Sequence, residues 1–210
     1  MENRVYLYGQ VVNQPTTGDE FYGSEYCNLQ LSVRRLSNIV DTIPLTVHKD
    51  LIANHNIIMG SNIAVLGEFR SYNKLDNGRS RLMLSVFVTE VTDEIDETNP
   101  NQIELTGYIC KMPIYRTTPF NREIADLLIA CNRSNNKSDY LPAIAWGRNA
   151  RFAKNLNIGE QVEIIGRIQS RDYQKRLESG QTETRTAYEI SISQIISERL
   201  NEDANFVVNN

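Results

Sequence analysis

Tyr140, Pro142, Ile144 and Trp146 alternate with Leu141, Ala143 and Ala145 along one short run of the chain. In an extended strand that spacing puts both aromatic rings on one face and the small apolar residues on the other. Arg148, Arg151 and Lys154 follow directly, and a later segment, 170–187, sets Tyr173 among Arg171, Lys175, Arg176 and Arg185, against Asp172, Glu178 and Glu183. Flat rings accept stacked bases and spaced cations neutralise phosphates, so this set suits a nucleic-acid single strand and needs no covalent chemistry. A plainer reading stands beside it. If the Tyr140–Trp146 face is the core, the rings are packing, and the cations are a solvated helix face and a mixed-charge hairpin. Tyr188, amid the alternating Ile190 and Ile192, fits the core.

Other chemistries lack their residues. There is no glycine-rich phosphate loop, and neither histidine, His48 or His55, has an evident nucleophile partner. Cys27, Cys110 and Cys131 form no CxxC, so neither a zinc site nor a disulfide framework is expected. Cys110 and Cys131, in strand-like runs, read as small buried apolar residues, and a reducing, cytoplasmic setting is expected. No cofactor, no metal and no catalysis are expected. No stretch approaches the ~20 apolar residues of a membrane span, and the start, Met1-Glu2-Asn3-Arg4-Val5, lacks a secretion signal's apolar region.

The elements that must hold these residues occur twice. Val5–Val11 is echoed by Ile103–Ile109, a shift of 98, and Leu29, Leu31 and Val33 by Leu127, Ile129 and Cys131 at the same shift. Ile43-Pro44-Leu45 matches Leu141-Pro142-Ala143. One residue later in register, Gly60, Ile63, Val65 and Gly67 match Gly159, Val162, Ile164 and Gly166. In the first copy we expect strands at Val5–Val12, Cys27–Arg35, Ile43–His48, Asn62–Tyr72 and Leu82–Val91, a helix near Asp50–Asn54, and a hairpin turn at Asp76-Asn77-Gly78. In the second we expect strands at Ile103–Cys110, Ile124–Asn132, Tyr140–Trp146, Gln161–Ser170 and Ala187–Ile195. A helix over Ala150–Leu156, capped by Asn149, and a long charged hairpin around Ser179-Gly180 complete it. Five strands with a helix between the third and fourth is the OB-fold pattern, a five-stranded Greek-key barrel. The chain therefore reads as all-β with short helices, two such barrels in tandem. They divide as residues 1–92, an acidic linker 93–101, residues 102–197 and a short polar tail 198–210.

The charge is unequally divided. Residues 1–97 hold 8 Lys+Arg against 13 Asp+Glu, and residues 98–210 hold 14 against 13. Phosphate neutralisation supplies most non-specific affinity, so the second copy is the better strand binder. In the first, His48 stands where Trp146 does and Thr42 where Tyr140 does. Its hairpin keeps Tyr72, Lys74, Arg79 and Arg81 for auxiliary contact.

The second copy resembles the bacterial single-stranded DNA-binding protein family, over roughly residues 101–197. Tyr140–Ala150, the connection at Gly159, Gly166–Tyr173 and Thr186–Ile192 carry the likeness. The resemblance implies sequence-tolerant binding of single-stranded DNA, in replication, recombination or repair, without chemistry on the strand. It also implies that Trp146, Tyr140 and Tyr173 stack on bases. Arg148, Arg151, Arg171, Lys175, Arg176 and Arg133, with Tyr72 of the first copy, complete the expected contacts. Familiar members assemble four single-domain chains and end in an acidic, hydrophobic tip. Here one chain supplies two domains, so a homodimer is expected, and Asn205–Asn210 does not look like that tip. Replication or recombination proteins are the expected partners and a nucleoid-associated cytoplasmic location the expected setting. Two other readings remain open: a primosome- or replisome-type accessory whose OB faces bind proteins, and a single-stranded RNA binder.

Overall fold

The structure, a computed structural model, describes residues 2–18, 25–35, 37, 39–76, 79–176 and 180–197. Twelve strands and two short helices follow in order: β1 (Asn3–Val11), β2 (Thr16–Thr17), β3 (Tyr26–Arg34), β4 (Val40–His48), α1 (Lys49–Asn54), β5 (Asn62–Asp76), β6 (Arg79–Thr92), β7 (Asn101–Ile109), β8 (Ile114–Thr117), β9 (Glu123–Asn132), β10 (Ser138–Trp146), α2 (Arg148–Ala153), β11 (Gln161–Arg176) and β12 (Thr182–Ser197). The expected turn residues Asn77-Gly78 and Ser179, and the tail 198–210, lie outside the described residues, as does the Arg79 side chain.

Each repeat closes into a ring. β1 pairs with β3 and β5, β3 with β4, β5 with β6, and β4 with β6 in parallel. The second repeat reproduces every pairing, including the parallel β10–β12 contact. This is the OB-fold, twice. Period-2 patterning drives it: Cys27, Leu29, Leu31 and Val33 are buried along β3 while Asn28, Gln30 and Ser32 are not. A bulge bends β5 at Leu66/Gly67 and another bends β11 at Ile165/Gly166. Only glycine fits there, since a Cβ would lie 2.4 Å from the Phe87 carbonyl oxygen in one copy and 2.4 Å from that of Ser191 in the other.

Three local expectations are corrected. The second helix starts at Arg148 rather than Ala150 and is preceded by Gly147, with φ of 52° and no side-chain cap; Asn149 instead donates to the Ser193 carbonyl. The strands of the second repeat's long hairpin run past the expected Ser170 and Ala187, because β11 and β12 stay paired out to Arg176 and Thr182. Short edge strands β2 and β8, with few apolar residues to mark them, were not foreseen.

The repeats join through their first strands. β1 and β7 run antiparallel with Val5 opposite Ile103, its own counterpart at the 98-residue shift. A local two-fold axis therefore passes through that pair, as in an isologous dimer interface. Around it the polar contacts are reciprocal. The buried Asp41 carboxylate accepts both Nε and Nη2 of Arg35 at 2.6 Å, and the backbone N–H of Ser170 from the other repeat at 2.7 Å. Buried Asp139 likewise accepts from Arg133 on both oxygens, and from the Ser71 N–H at 2.6 Å. Arg133 also donates to the Ser71 carbonyl at 3.0 Å, as Arg35 does to that of Ser170 at 3.4 Å. The amides of Thr42 and Tyr140 donate to the hydroxyls of Ser170 and Ser71.

Deleting one member of a buried ion pair typically costs about 3–5 kcal/mol, because its partner is left desolvated and alone. Asp139→Ala strands Arg133 and the Ser71 amide together, and a drop of that order is expected for it and for Asp41→Ala. Urea unfolding checks it through the transition midpoint; a wild-type midpoint in either variant would show that the clamp does not hold the repeats.

Candidate nucleic-acid interface

Strand pairing places the outer face of β10 in register with its neighbours. Trp146 lies opposite Ile124 on β9, which lies opposite Arg116 on β8; Ile144 lies beside Ser191 on β12, which lies opposite Arg167 on β11. Farther along the β11–β12 ribbon the same face continues through Arg171, Tyr173 and Lys175, whereas Arg176 projects from the opposite face. Tyr140 is 47% exposed, Trp146 38% and Tyr173 38%, against essentially complete burial of Leu141, Ala143 and Ala145 on the inner face. The rings are therefore not core. Ile144 departs from simple alternation: it is buried although it shares the outer face. Tyr140 and Trp146 thus stand as separate platforms about 20 Å apart along the strand, six residues at ~3.3 Å each. Tyr188 is half-buried against the core, and burial pushes its hydroxyl pKa up.

The cations differ in their commitments. Arg148 is exposed and forms no ion pair among the described residues, and Lys175 and Arg176 are exposed on the ribbon. The Arg171 Nε lies 4.0 Å from a Glu189 carboxylate oxygen. Arg151 is paired with Glu123, which also accepts from the Tyr115 hydroxyl, while the Lys154 ammonium sits over the Tyr115 ring at 5.2 Å. The Tyr115 hydrogen bond and the Arg151 charge hold the Glu123 carboxyl below the usual range, and the Tyr115 hydroxyl is raised by the same bond. Glu123 thereby knits α2 to the β8–β9 hairpin. Arg133, expected to line the groove, is instead 14% exposed and engaged in the clamp with Asp139 and Ser71. The spacing Arg35/Asp41 and Arg133/Asp139, repeated at shift 98, was the available signal for that role.

Two groups escaped the sequence reading. One is the tip of the β8–β9 hairpin, where Phe120 is 87% exposed between Arg116 and Arg122, on a turn closed by the Thr118–Arg122 backbone bond and Asn121 at φ of 57°. The other lies in the first repeat. Tyr26 meets the His48 ring edge-on at 5.1 Å and the Phe87 ring at 5.1 Å, and the Arg70 guanidinium lies 4.0 Å over Phe87. The counterparts of Tyr26 and Phe87 in the second repeat are Ile124 and Ser191, so nothing in the repeat pattern pointed to them. His48 Nδ1 also accepts the Asp50 N–H, capping α1. Tyr72 is half-buried on β5, and Thr42 presents no ring. The first repeat's face is therefore self-satisfied where the second's is open.

The cysteines are free; Cys27 and Cys131 are buried, and desolvation, with the Asp139 charge, pushes the Cys131 thiol up to about 11. Among the described residues, no three His, Cys, Asp or Glu side chains converge as a metal site requires. Among the described residues, no helix is long and apolar enough to cross a membrane.

Comparison with known proteins agrees with this geometry. The model of the single-strand binding protein family matches residues 100–197. Single-stranded DNA-binding protein 1 of Staphylococcus aureus (strain COL) is 31% identical over 83 residues, which cover 36% of this chain and 50% of that protein. The corresponding protein of Clostridium tetani is 29% identical over 83 residues, 57% of its length. The chain thus spans about half the length of these relatives. The crystal structure of wild-type single-stranded DNA binding protein from Thermus aquaticus superposes with a TM-score of 0.69 at 18% identity, covering 93% of this chain and 92% of that one. A deletion mutant of the same protein gives 0.66. At that identity the likeness establishes the fold, both barrels included. Over residues 100–197, the second repeat is similar to the single-strand binding protein family.

Proposed function

We propose that the chain binds single-stranded DNA with little regard to sequence, through the outer face of β10 and the β11–β12 ribbon. The observation that carries this is the set of exposed rings, Trp146, Tyr140 and Tyr173, on the face shared with Arg171 and Lys175, backed by a fully buried inner face. Arg148 continues the cationic track and Arg151 contributes less, its charge being partly met by Glu123. Arg176 contacts backbone from the ribbon's reverse side. Phe120, exposed at the β8–β9 turn beyond Trp146 and Arg116, extends the stacking track across β8. The division into residues 1–92 and 102–197, joined by 93–101, separates an auxiliary repeat from the principal one. Tyr72 is the first repeat's remaining contact. The relatives' names, single-stranded DNA-binding proteins, support the strand reading; a place in replication, recombination or repair, on DNA at the nucleoid, is part of the same proposal.

Trp146 is the only tryptophan, so its fluorescence reports strand contact directly. Quenching on titration with oligo-dT is expected, with Trp146→Ala weakening binding by about 1–3 kcal/mol, the usual value of one base–aromatic stack. His48→Ala, at the matching position of the first repeat, should change affinity much less. Equal losses would contradict the division of labour, and unchanged affinity in W146A would remove Trp146 from the site. Parallel titrations with oligo-rU and duplex separate this reading from RNA binding and from a protein-binding accessory.

A homodimer, giving four OB domains, is the assembly we propose. Light scattering without DNA should return twice the chain mass of 24.0 kDa across a dilution series; a persistent single-chain mass at micromolar protein would refute it.

A further inference from the structure

The local two-fold axis creates two junction clefts, and the chain has made them unlike. At one, Arg34, Arg35 and Arg167 line a cavity of about 350 Å³ with Asn99, Ser191 and one carboxylate, the exposed Glu104. The positions related by the repeat at the other junction are Asn132 for Arg34, Glu68 for Arg167 and Arg70 for Gln169. There the charges cancel: Arg70 Nε donates to Glu68 at 2.9 Å. Here they do not. Arg167 reaches only the neutral Gln169 amide oxygen, at 3.2 Å, and its Nε is buried without a hydrogen-bond partner among the described residues. Asp41 answers Arg35 and lies near Arg167, yet burial and the neighbouring Arg35 charge still press the Arg167 pKa down. A desolvated guanidinium that lacks a carboxylate is a standing energetic cost, which an incoming anion relieves.

Position says which anion. Arg167 is in register with Ser191 and, through it, with Ile144 on the outer face of β10, two strands or about 10 Å away. Arg34 belongs to the first repeat. We infer that this cleft is a phosphate site, with Arg167 its principal cation, where a bound strand crosses from the second repeat to the first. The inference rests on the single-strand reading of the neighbouring face. Phosphodiester and free phosphate share this chemistry, so the test takes both.

In the full chain, Arg167→Gln and Arg167→Lys are compared with wild type on a short oligo-dT that one repeat can hold and on a long one that spans both. For the long strand, R167Q should bind roughly tenfold more weakly, as loss of a charged hydrogen bond implies. Its log–log salt slope should be shallower by about 0.7, one phosphate contact. Short-strand binding and its Trp146 quenching should be unaltered, and R167K should recover the slope. Equal long-strand affinity and slope in R167Q, with Trp146 still quenched, would overturn the crossing while leaving the strand reading intact. The second measurement needs no variant to fold: the Arg167 Nε–H resonance of wild-type protein is followed as inorganic phosphate is added. A shift reversed by oligo-dT identifies the strand as the source. A shift that oligo-dT does not reverse overturns the crossing and leaves a free-anion site. No shift overturns the phosphate site altogether.

Discussion

The antiparallel pairing of β1 with β7, centred on Val5 and Ile103, is the constraint on which the rest hangs. It fuses two barrels into one twelve-stranded sheet and gives the Asn3–Leu7 edge a partner instead of leaving it to solvent. The reciprocal carboxylates then fix the register. Asp41 and Asp139 each sit at the end of a β-hairpin in one repeat and receive the backbone of the other at Ser170 or Ser71. A slip of one residue would leave two buried carboxylates without amide donors, so the alternative registers are penalised twice. Asn3 and Asn101 repeat the logic within each barrel, each exchanging a pair of hydrogen bonds with the strand beside the bulge, at Phe69 and Ile168.

On that symmetric frame the functional surface is asymmetric. The second repeat leaves Trp146 open beside Ile124, whereas the first fills the corresponding ground with Tyr26, Phe87 and Arg70 packed on one another and on His48. Rings that satisfy each other have less to offer a base. The same divergence replaces Glu68 by Arg167 across the axis. Two identical chains could never separate these residues, because each substitution would appear at both junctions.

Much of the fold was legible because alternation and the 98-residue echo are strong, local signals. The five principal strands of each barrel, both helices and the placing of Tyr140 and Trp146 on one face followed from them, whereas their exposure came from the structure. The misses have physical reasons. Ile144 is buried by tertiary structure that alternation within β10 does not encode. Arg133 looked like a surface cation because Ser71 reaches it only across the junction, while its pairing with Asp139 over the β9–β10 hairpin was signalled only by the repeated six-residue spacing. Phe120 belongs to no periodic run, and its exposure depends on the Thr118–Arg122 turn.

The joining of first strand to first strand has a consequence for synthesis. A ribosome delivers β1 about a hundred residues before β7, and domains fold as units while the chain emerges. For that interval the first barrel can close on itself, yet the outer edge of Asn3–Leu7 stays bare and the Arg35–Asp41 pair waits for Ser170. A nascent chain at this stage is open to pairing with a neighbour on the same message. Strand exchange between ribosomes would then yield the same sheet, shared by two polypeptides.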